Sequence, residues 1–143
     1  MTAYFAYGSN MSVLQMMTRC PLADCRGNAS LADHDFLINQ RGFATIVPKA
    51  QSTVYGILWT LSESHIASLD EYEGIAIGHY RKQQIAVSFN GQTVAAMVYV
   101  ATDSNPGIAE AAYIEGIVGA ATAQGLTSDY VRRLSAWLPS PLS

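Results

Sequence analysis

The residues near the amino terminus that could take part in chemistry are Gly8, Ser9 and Asn10. They follow a short apolar strand, predicted for Tyr4 to Ala6, and they precede a predicted helix. A glycine there lets the backbone approach a ligand and adopt angles that a side chain would forbid. Backbone N–H groups at such a turn are paired by neither sheet nor helix, and they point toward whatever lies in front of them. The pattern predicts an anion or oxyanion pocket, with an ordinary strand-to-helix turn as the alternative.

A second candidate for chemistry is the carboxylate of Glu73, the last of three acids near the end of a predicted helix. At about 100° per residue, Glu73 projects within roughly 10° of the apolar direction set by Ile66 and Leu69. Asp70 projects roughly 70° from that direction, and Glu71 projects almost opposite to it, toward water. A carboxylate directed to the interior loses hydration, which raises its pKa and makes it a better base. The alternatives are a buried glutamate bonded to the backbone and a helix-end carboxylate that reaches solvent.

The histidines and cysteines offer weaker candidates. His34, His65 and His79 are scattered without the spacing of metal ligands, so no metal site is predicted. A nucleophile pair of Cys25 and His34 has nothing in the sequence to orient it. Cys20 and Cys25 are too few for a disulfide framework and fit a reducing compartment, and both are expected to be small buried side chains.

The elements that must position these residues indicate an α+β chain. Helices are expected at about 12–19, 63–71 and 105–124, and a last helix from 128 places Tyr130, Leu134, Trp137 and Leu138 on one face. Strands are expected at 4–6, at 29–32 and 36–38 (one bent strand or two short ones), at 44–47 before Pro48, at 53–61, and at 80–89 and 93–101 around the turn signal Asn90-Gly91. This order predicts a mostly antiparallel sheet, curled into a small barrel, with helices against it.

Two local features refine this prediction. Gly56 faces inward within the strand at 53–61, which predicts that another segment packs closely against it. Ser12 lies three residues before Gln15, the spacing of a capping box at the start of the first helix. The apolar side of that helix is formed by Val13, Leu14, Met16 and Met17. Its two methionines are expected to fill the core.

Composition limits the class of function. The chain has 143 residues, of which 50% are hydrophobic, so one domain spanning 1–143 with a substantial core is expected. A net charge of -3 gives no basic footprint for nucleic acid, and 13% charged residues argue against steering of a highly charged partner. The expected partner is therefore a small molecule held by local contacts. No signal peptide and no membrane span are predicted, so a cytoplasmic location is expected.

The segments Tyr4-Phe5-Ala6-Tyr7-Gly8-Ser9-Asn10 and Leu69-Asp70-Glu71-Tyr72-Glu73-Gly74 together resemble the γ-glutamylcyclotransferase family. Between them, 44–46 and 54–59 are similar to that family in the same order. After them, Tyr80 and the stretch from Tyr113 to Leu126 match as well. The similarity extends from about residue 4 to residue 134, which is nearly the whole chain.

The resemblance implies a mixed α/β barrel that converts γ-glutamyl amino acids or amines to 5-oxoproline and the free amine. It gives Glu73 the place of the general acid/base, Tyr113 that of a substrate contact and Tyr80 that of a pocket tyrosine. From the residues alone, both tyrosines could instead be ordinary half-buried side chains. The substrate loop that it implies is Tyr4, Phe5, Ala6, Tyr7, Gly8, Ser9 and Asn10. A homodimer is an open expectation.

The implied reaction suits the residues that the sequence offers. The substrate's own α-amine attacks its γ-carbonyl, so a base and oxyanion donors suffice, and no metal, cofactor or covalent nucleophile is expected. Asn10 favours this family over glutathione-specific relatives, which tend to carry leucine there. The segment before Ala44 is shorter than in larger members, which leaves the leaving amine undecided. Two alternatives stay open: a cyclotransferase for a specialised γ-glutamyl amine, and a non-catalytic module that binds a small ligand or a protein on the same fold.

Overall fold

The computed structural model describes residues 1–139, in which five strands close into a barrel. The strands are β1 (Thr2–Ala6), β2 (Asp24–Ile38), β3 (Ala44–Leu61), β4 (Tyr80–Phe89) and β5 (Gln92–Ala101). Their order is β1-β3-β2-β4-β5, and β1 meets β5 in parallel while the other neighbours are antiparallel. The expected α+β architecture, with a mixed and mostly antiparallel barrel, is confirmed.

Four helices pack around the barrel. They are α1 (Val13–Arg19), α2 (Glu63–Glu73), α3 (Ala111–Ala123) and α4 (Ser128–Ser135), and a 3-10 turn at Ser9–Met11 precedes α1. Among residues 1–139, no helix has both the length and the apolar character that a membrane crossing requires. Because α4 ends at Ser135, Trp137 and Leu138 lie beyond the helix that was expected to contain them.

The strongest local signals in the sequence give the expected structure. Asn90 and Gly91 have φ angles of 50° and 75°, and they form the turn between β4 and β5. The side chain of Ser62 accepts the His65 N–H at the start of α2. Gly74 ends this helix in the left-handed conformation, with a φ of 67°. The N-cap and the C-cap that fix the position of Glu73 at the end of α2 can therefore both be predicted from the sequence.

The break expected in the sheet at Pro48 does not occur. β3 is one strand of 18 residues that continues through Pro48, and β2 is one strand of 15 residues. Pro48 is opposite His34, directly after a shift in register between Ala32 and His34. Proline lacks a ladder donor, and sheets tolerate it at such irregular positions. The prediction that Pro48 ends a short strand was therefore wrong.

The helix expected at 105–124 begins at Ala111 instead. Pro106 forms an isolated bridge with Asn39, and the Gly107 N–H donates to the Ile38 carbonyl over 2.8 Å. A Cβ on Gly107 would lie 2.2 Å from the Asn39 carbonyl oxygen, so this segment packs directly on the end of β2. Tertiary pairing thus overrides the local signal of an asparagine followed by proline.

Burial confirms one local expectation and corrects two others. A Cβ on Gly56 would lie 2.3 Å from the Ala6 carbonyl oxygen, which confirms a close approach at this glycine. Met16 is buried, but Met17 is 62% exposed because successive helical side chains point about 100° apart. Cys25 is exposed at the start of β2, so the expectation that both cysteines are buried was wrong.

Candidate active site

A cavity of about 260 Å³ lies where the end of β1, the starts of β3 and β4 and the end of α2 meet. Its volume is near the lower end of the range for small-molecule sites, about 300 Å³. The residues expected from the sequence that line it are Tyr4, Tyr7, Gly8, Ser9, Asn10, Glu73, Tyr80 and Tyr113. Phe5 and Ala6, the other two residues of the expected substrate loop, do not line this cavity and are buried in the core.

The loop after β1, which lines this cavity, has backbone donors without acceptors. Among residues 1–139, the N–H groups of Gly8, Ser9 and Asn10 have no hydrogen-bond acceptor. Gly8 has a φ of -119°, so its backbone is not in the left-handed region that favours glycine. A Cβ on Gly8 would touch only the Ala44 Cβ, at 3.4 Å. The absence of a side chain at Gly8 thus keeps space in the cavity free.

A network of side chains fixes the conformation of this loop. The Asn10 Oδ1 accepts from Gln15 Nε2 at 2.9 Å and from Arg19 Nη1 at 3.0 Å, while Asn10 Nδ2 donates to the Tyr4 hydroxyl at 3.0 Å. Gln15 Nε2 also donates to the Ser9 hydroxyl, at 2.7 Å. The side chain of Gln15 therefore binds the loop and does not complete the expected capping box, although its N–H donates to Ser12. The loop is held in place before any ligand arrives.

Glu73 is the last residue of α2, and its carboxylate lines the cavity. Burial raises its pKa from 4.5 to about 7, and the positive charge of Arg19 opposes this rise in part. The side chains of α2 point in the directions expected from helical spacing, since Leu69 is fully buried and Glu71 is exposed. No described residue donates a hydrogen bond to the Glu73 side chain, so no such bond stabilises its charged form.

Asp70 anchors the helix that carries Glu73. Its Oδ1 accepts from the Tyr99 hydroxyl at 2.7 Å, and its Oδ2 accepts from Lys82 Nζ at 2.8 Å. Tyr99 lies on β5 and Lys82 on β4, so the carboxylate of Asp70 joins α2 to two strands of the barrel. Because Asp70 is one helical turn before Glu73, these contacts fix the turn from which Glu73 projects.

The cavity tyrosines serve as hydrogen-bonding groups and not as bases. The Tyr80 hydroxyl donates to the Ala44 carbonyl at 2.6 Å, and the Ala44 N–H donates to the Tyr113 hydroxyl at 3.1 Å. Burial raises the pKa of Tyr113 to about 12, and it raises the pKa values of Tyr4, Tyr7 and Tyr80 as well. All of these hydroxyls are therefore neutral near pH 7.

Several residues that line the cavity were not identified from the sequence. They include Arg19, Arg41, Phe43, Ile77, His79 and Tyr99. Arg19 ends α1, four positions after Gln15, and this helical spacing places both side chains on the face that bonds Asn10. Arg41 and Phe43 flank the turn glycine before β3, where no local pattern distinguishes a cavity residue from a solvated one. Residues 1–139 contain no group of three or more His, Cys, Asp or Glu side chains arranged to hold a metal ion.

Comparison with known proteins identifies the family and the fold. The family model of the AIG2-like family matches residues 53–134. The chain is 32% identical to a mouse protein named γ-glutamylcyclotransferase, over 96% of this chain and 79% of that protein. It is 30% identical to the human protein of the same name, over the same shares. A solved structure titled γ-glutamyl cyclotransferase superposes with a TM-score of 0.89 at 28% identity, over 98% of this chain and 89% of that one.

The matched family model includes the helix that carries Glu73, and the relatives align over nearly the whole of this chain. The family is shown both by the matched family model and by relatives that align over nearly the full length of this chain. The chain belongs to the AIG2-like family, and within it to the γ-glutamylcyclotransferase-like enzymes.

Proposed function

We propose that this protein cyclises a γ-glutamyl amino acid or amine, releasing 5-oxoproline and the free amine. The observation that carries the proposal is one cavity lined both by Glu73, whose carboxyl has a raised pKa, and by Gly8, Ser9 and Asn10, whose N–H groups have no acceptor among residues 1–139. A proton acceptor near neutral pH and a set of oxyanion donors are the two groups that this reaction needs from a protein.

Glu73 moves the protons in this mechanism. The substrate's α-ammonium first gives one proton to the Glu73 carboxylate, and the resulting amine attacks the γ-carbonyl carbon. A new C–N bond closes the five-membered ring, and the former carbonyl oxygen becomes an oxyanion. Glu73 then returns the proton to the amide nitrogen, whose bond to the γ-carbon breaks. The oxyanion re-forms the carbonyl as this bond breaks, and the ring nitrogen gives its second proton to Glu73. The lactam then keeps one N–H, and the leaving amine takes that proton from Glu73 and departs as an ammonium.

The loop after β1 stabilises the charge that develops on the oxygen. Three backbone N–H groups without other acceptors are available there, and their positions are fixed by the Asn10 and Gln15 side chains. Removing one such donor from an enzyme typically costs about 2.7–4 kcal/mol in the transition state. Both reacting groups belong to one molecule, so correct folding of the substrate can supply roughly 7–11 kcal/mol.

The tyrosines shape the cavity around the bent substrate. The hydroxyls of Tyr80 and Tyr113 bind the carbonyl and the N–H of Ala44, respectively, so they hold the wall of the cavity at the start of β3. Tyr4 reaches the cavity beside Asn10, to which it is hydrogen-bonded. These rings limit the conformations that a flexible γ-glutamyl chain can adopt and favour the folded one.

The test is release of 5-oxoproline from a panel of γ-glutamyl amino acids, γ-glutamyl amines and glutathione. Wild-type protein is expected to release it from at least one member of the panel. Glu73→Gln keeps the shape of the side chain but removes the base, and a loss of about 10²–10⁴-fold is expected.

The matched control is Glu115→Gln, because Glu115 is an exposed acid on α3 outside the cavity. This variant is expected to retain wild-type turnover. A Glu73→Gln variant with a near-normal rate, in a preparation that folds normally by circular dichroism, would exclude Glu73 as the base.

A further inference from the structure

Of the two arginines that line the cavity, only Arg41 forms no side-chain hydrogen bond or ion pair with residues 1–139. Arg19 is engaged, since its Nη1 donates to Asn10 Oδ1 and its Cζ lies 4.3 Å from the Tyr72 ring centroid. Arg41 is exposed, and among residues 1–139 its guanidinium forms neither a hydrogen bond nor an ion pair. All of its side-chain donors are therefore available to a ligand at the mouth of the cavity.

The buried side chain of Asn39 fixes the backbone that carries Arg41. The side chain of Asn39 is fully buried, and its Oδ1 accepts from the N–H groups of Arg41 and Phe43, both at 3.1 Å. The Gly42 N–H donates to the Asn39 carbonyl at 2.9 Å, and Gly42 has a φ of 87°, which few other residues adopt. A buried amide therefore sets the conformation of this short turn.

Aromatic contacts connect Arg41 to the wall of the cavity. The Arg41 Cζ lies 5.2 Å from the Phe43 ring centroid, and the Phe43 ring meets Tyr113 edge-on with centroids 5.4 Å apart. All three residues line the cavity. The guanidinium is thus held over an aromatic surface at the rim, with its planar set of donors free.

The two arginines occupy different parts of the cavity. Arg19 contacts Asn10 and the Tyr72 ring and opposes the rise in the Glu73 pKa, whereas Arg41 packs on Phe43 at the turn before β3. In the proposed reaction the substrate's α-amine must lie at Glu73, and the glutamyl α-carboxylate is attached to the same carbon. The glutamyl end is therefore next to Glu73 and Arg19, and the leaving group extends toward the rest of the cavity.

We infer that Arg41 binds the carboxylate of the departing amino acid, so that γ-glutamyl amino acids are used in preference to γ-glutamyl amines. Arginine presents parallel N–H donors that match a carboxylate, and such charged hydrogen bonds are stronger than neutral ones. This inference rests on the proposed function. It assigns Arg41 to the leaving group and makes it a residue that determines specificity.

The test compares γ-glutamyl-alanine with γ-glutamyl-ethylamine, which differ only by the carboxylate of the leaving group. Wild-type kcat/KM is expected to be at least about tenfold higher for the alanine substrate. Arg41→Ala is expected to lower kcat/KM for γ-glutamyl-alanine by about tenfold and to leave the ethylamine substrate within about twofold. Arg41→Lys is expected to fall between the two, because it keeps the charge but not the paired donors.

The control is Arg81→Ala, which removes an exposed arginine of β4 that is outside the cavity and has no described partner. It is expected to leave both substrates unchanged. An equal loss for both substrates in Arg41→Ala, or no loss for either, would overturn the inference while the cyclotransferase function stands.

Equilibrium binding separates this inference from the proposed function. Calorimetry on Glu73→Gln, with and without Arg41→Ala, measures the affinity for γ-glutamyl-alanine and for γ-glutamyl-ethylamine in the absence of turnover. A loss of affinity of about tenfold for γ-glutamyl-alanine on removing Arg41, with the affinity for γ-glutamyl-ethylamine unchanged, supports the inference whether or not the wild type releases 5-oxoproline. Equal affinity in the two variants, or no binding by either, overturns it. If the variants bind γ-glutamyl-alanine in this way but the wild type releases no 5-oxoproline, only the proposed function fails.

Discussion

Replacing Glu73 by glutamine is expected to stabilise the protein, and the size of the effect depends on pH. The native pKa of Glu73 is raised from 4.5 to about 7, so the fold favours the neutral carboxyl. The stability that the neutral carboxyl contributes relative to the charged form is fully present below pH 4.5, and it is lost as the pH rises through about 7. This rise in pKa corresponds to roughly 3 kcal/mol of unfavourable free energy for the charged carboxylate in the native state.

Glutamine resembles the neutral carboxyl and carries no such cost. Glu73→Gln is therefore expected to raise the free energy of unfolding by up to about 3 kcal/mol near pH 8, and to change it by less than about 0.5 kcal/mol near pH 4. Urea unfolding at the two pH values measures both quantities. The gain in stability would accompany the loss of activity, as is typical where a charged group is buried for function.

Glu71→Gln is the control for this experiment, because Glu71 is an exposed acid two positions earlier on the same helix. It is expected to stay within about 0.5 kcal/mol of wild type at both pH values. A stabilisation of Glu73→Gln that is equal near pH 4 and pH 8, or a destabilisation near pH 8, would refute the account of a desolvated carboxylate.

Three further variants test the parts of the structure that support the site. Asp70→Asn is expected to weaken the hydrogen bond from Tyr99, to lower the free energy of unfolding by about 1–3 kcal/mol and to lower kcat more than it raises KM. A normal kcat would show that α2 does not need this contact. Gly8→Val is expected to raise KM with little change in urea unfolding, because an added Cβ meets only Ala44, at 3.4 Å; unchanged KM would place the substrate elsewhere. Asn39→Ala leaves two backbone N–H groups without their acceptor. The free energy of unfolding, measured in urea, is therefore expected to fall by about 2–4 kcal/mol, and a fall below about 0.5 kcal/mol would contradict this role of Asn39.

The sequence predicts the elements that depend on local signals. The hairpin at Asn90-Gly91 and the caps of α2 at Ser62 and Gly74 depend on dihedral preferences and on bonds between near neighbours. The inward direction of Glu73 follows from helical spacing to Leu69 in the same way. In each case the chemistry that decides the structure lies within a few residues, so a single sequence contains it.

The remainder depends on contacts between distant segments. Pro106 does not start a helix because its segment pairs with Asn39, and β3 passes through Pro48 because the irregular pairing with β2 tolerates it. Arg41 reaches the cavity only through the turn that buried Asn39 holds. Phe5 was expected in the substrate loop, but the alternation of β1 turns its side chain into the core. No local pattern encodes the first three of these outcomes, whereas the direction of Phe5 follows from strand alternation.

The dependence of kcat/KM on pH, measured by release of 5-oxoproline, tests the central claim most directly. The claim is that Glu73 transfers the proton within the cavity formed with Gly8, Ser9 and Asn10. The wild type is expected to lose activity below an apparent pKa near 7, as its base becomes protonated, and Glu73→Gln is expected to be at least about 100-fold less active across the range. A wild-type profile without this acidic limb, together with substantial turnover by Glu73→Gln, would contradict the account.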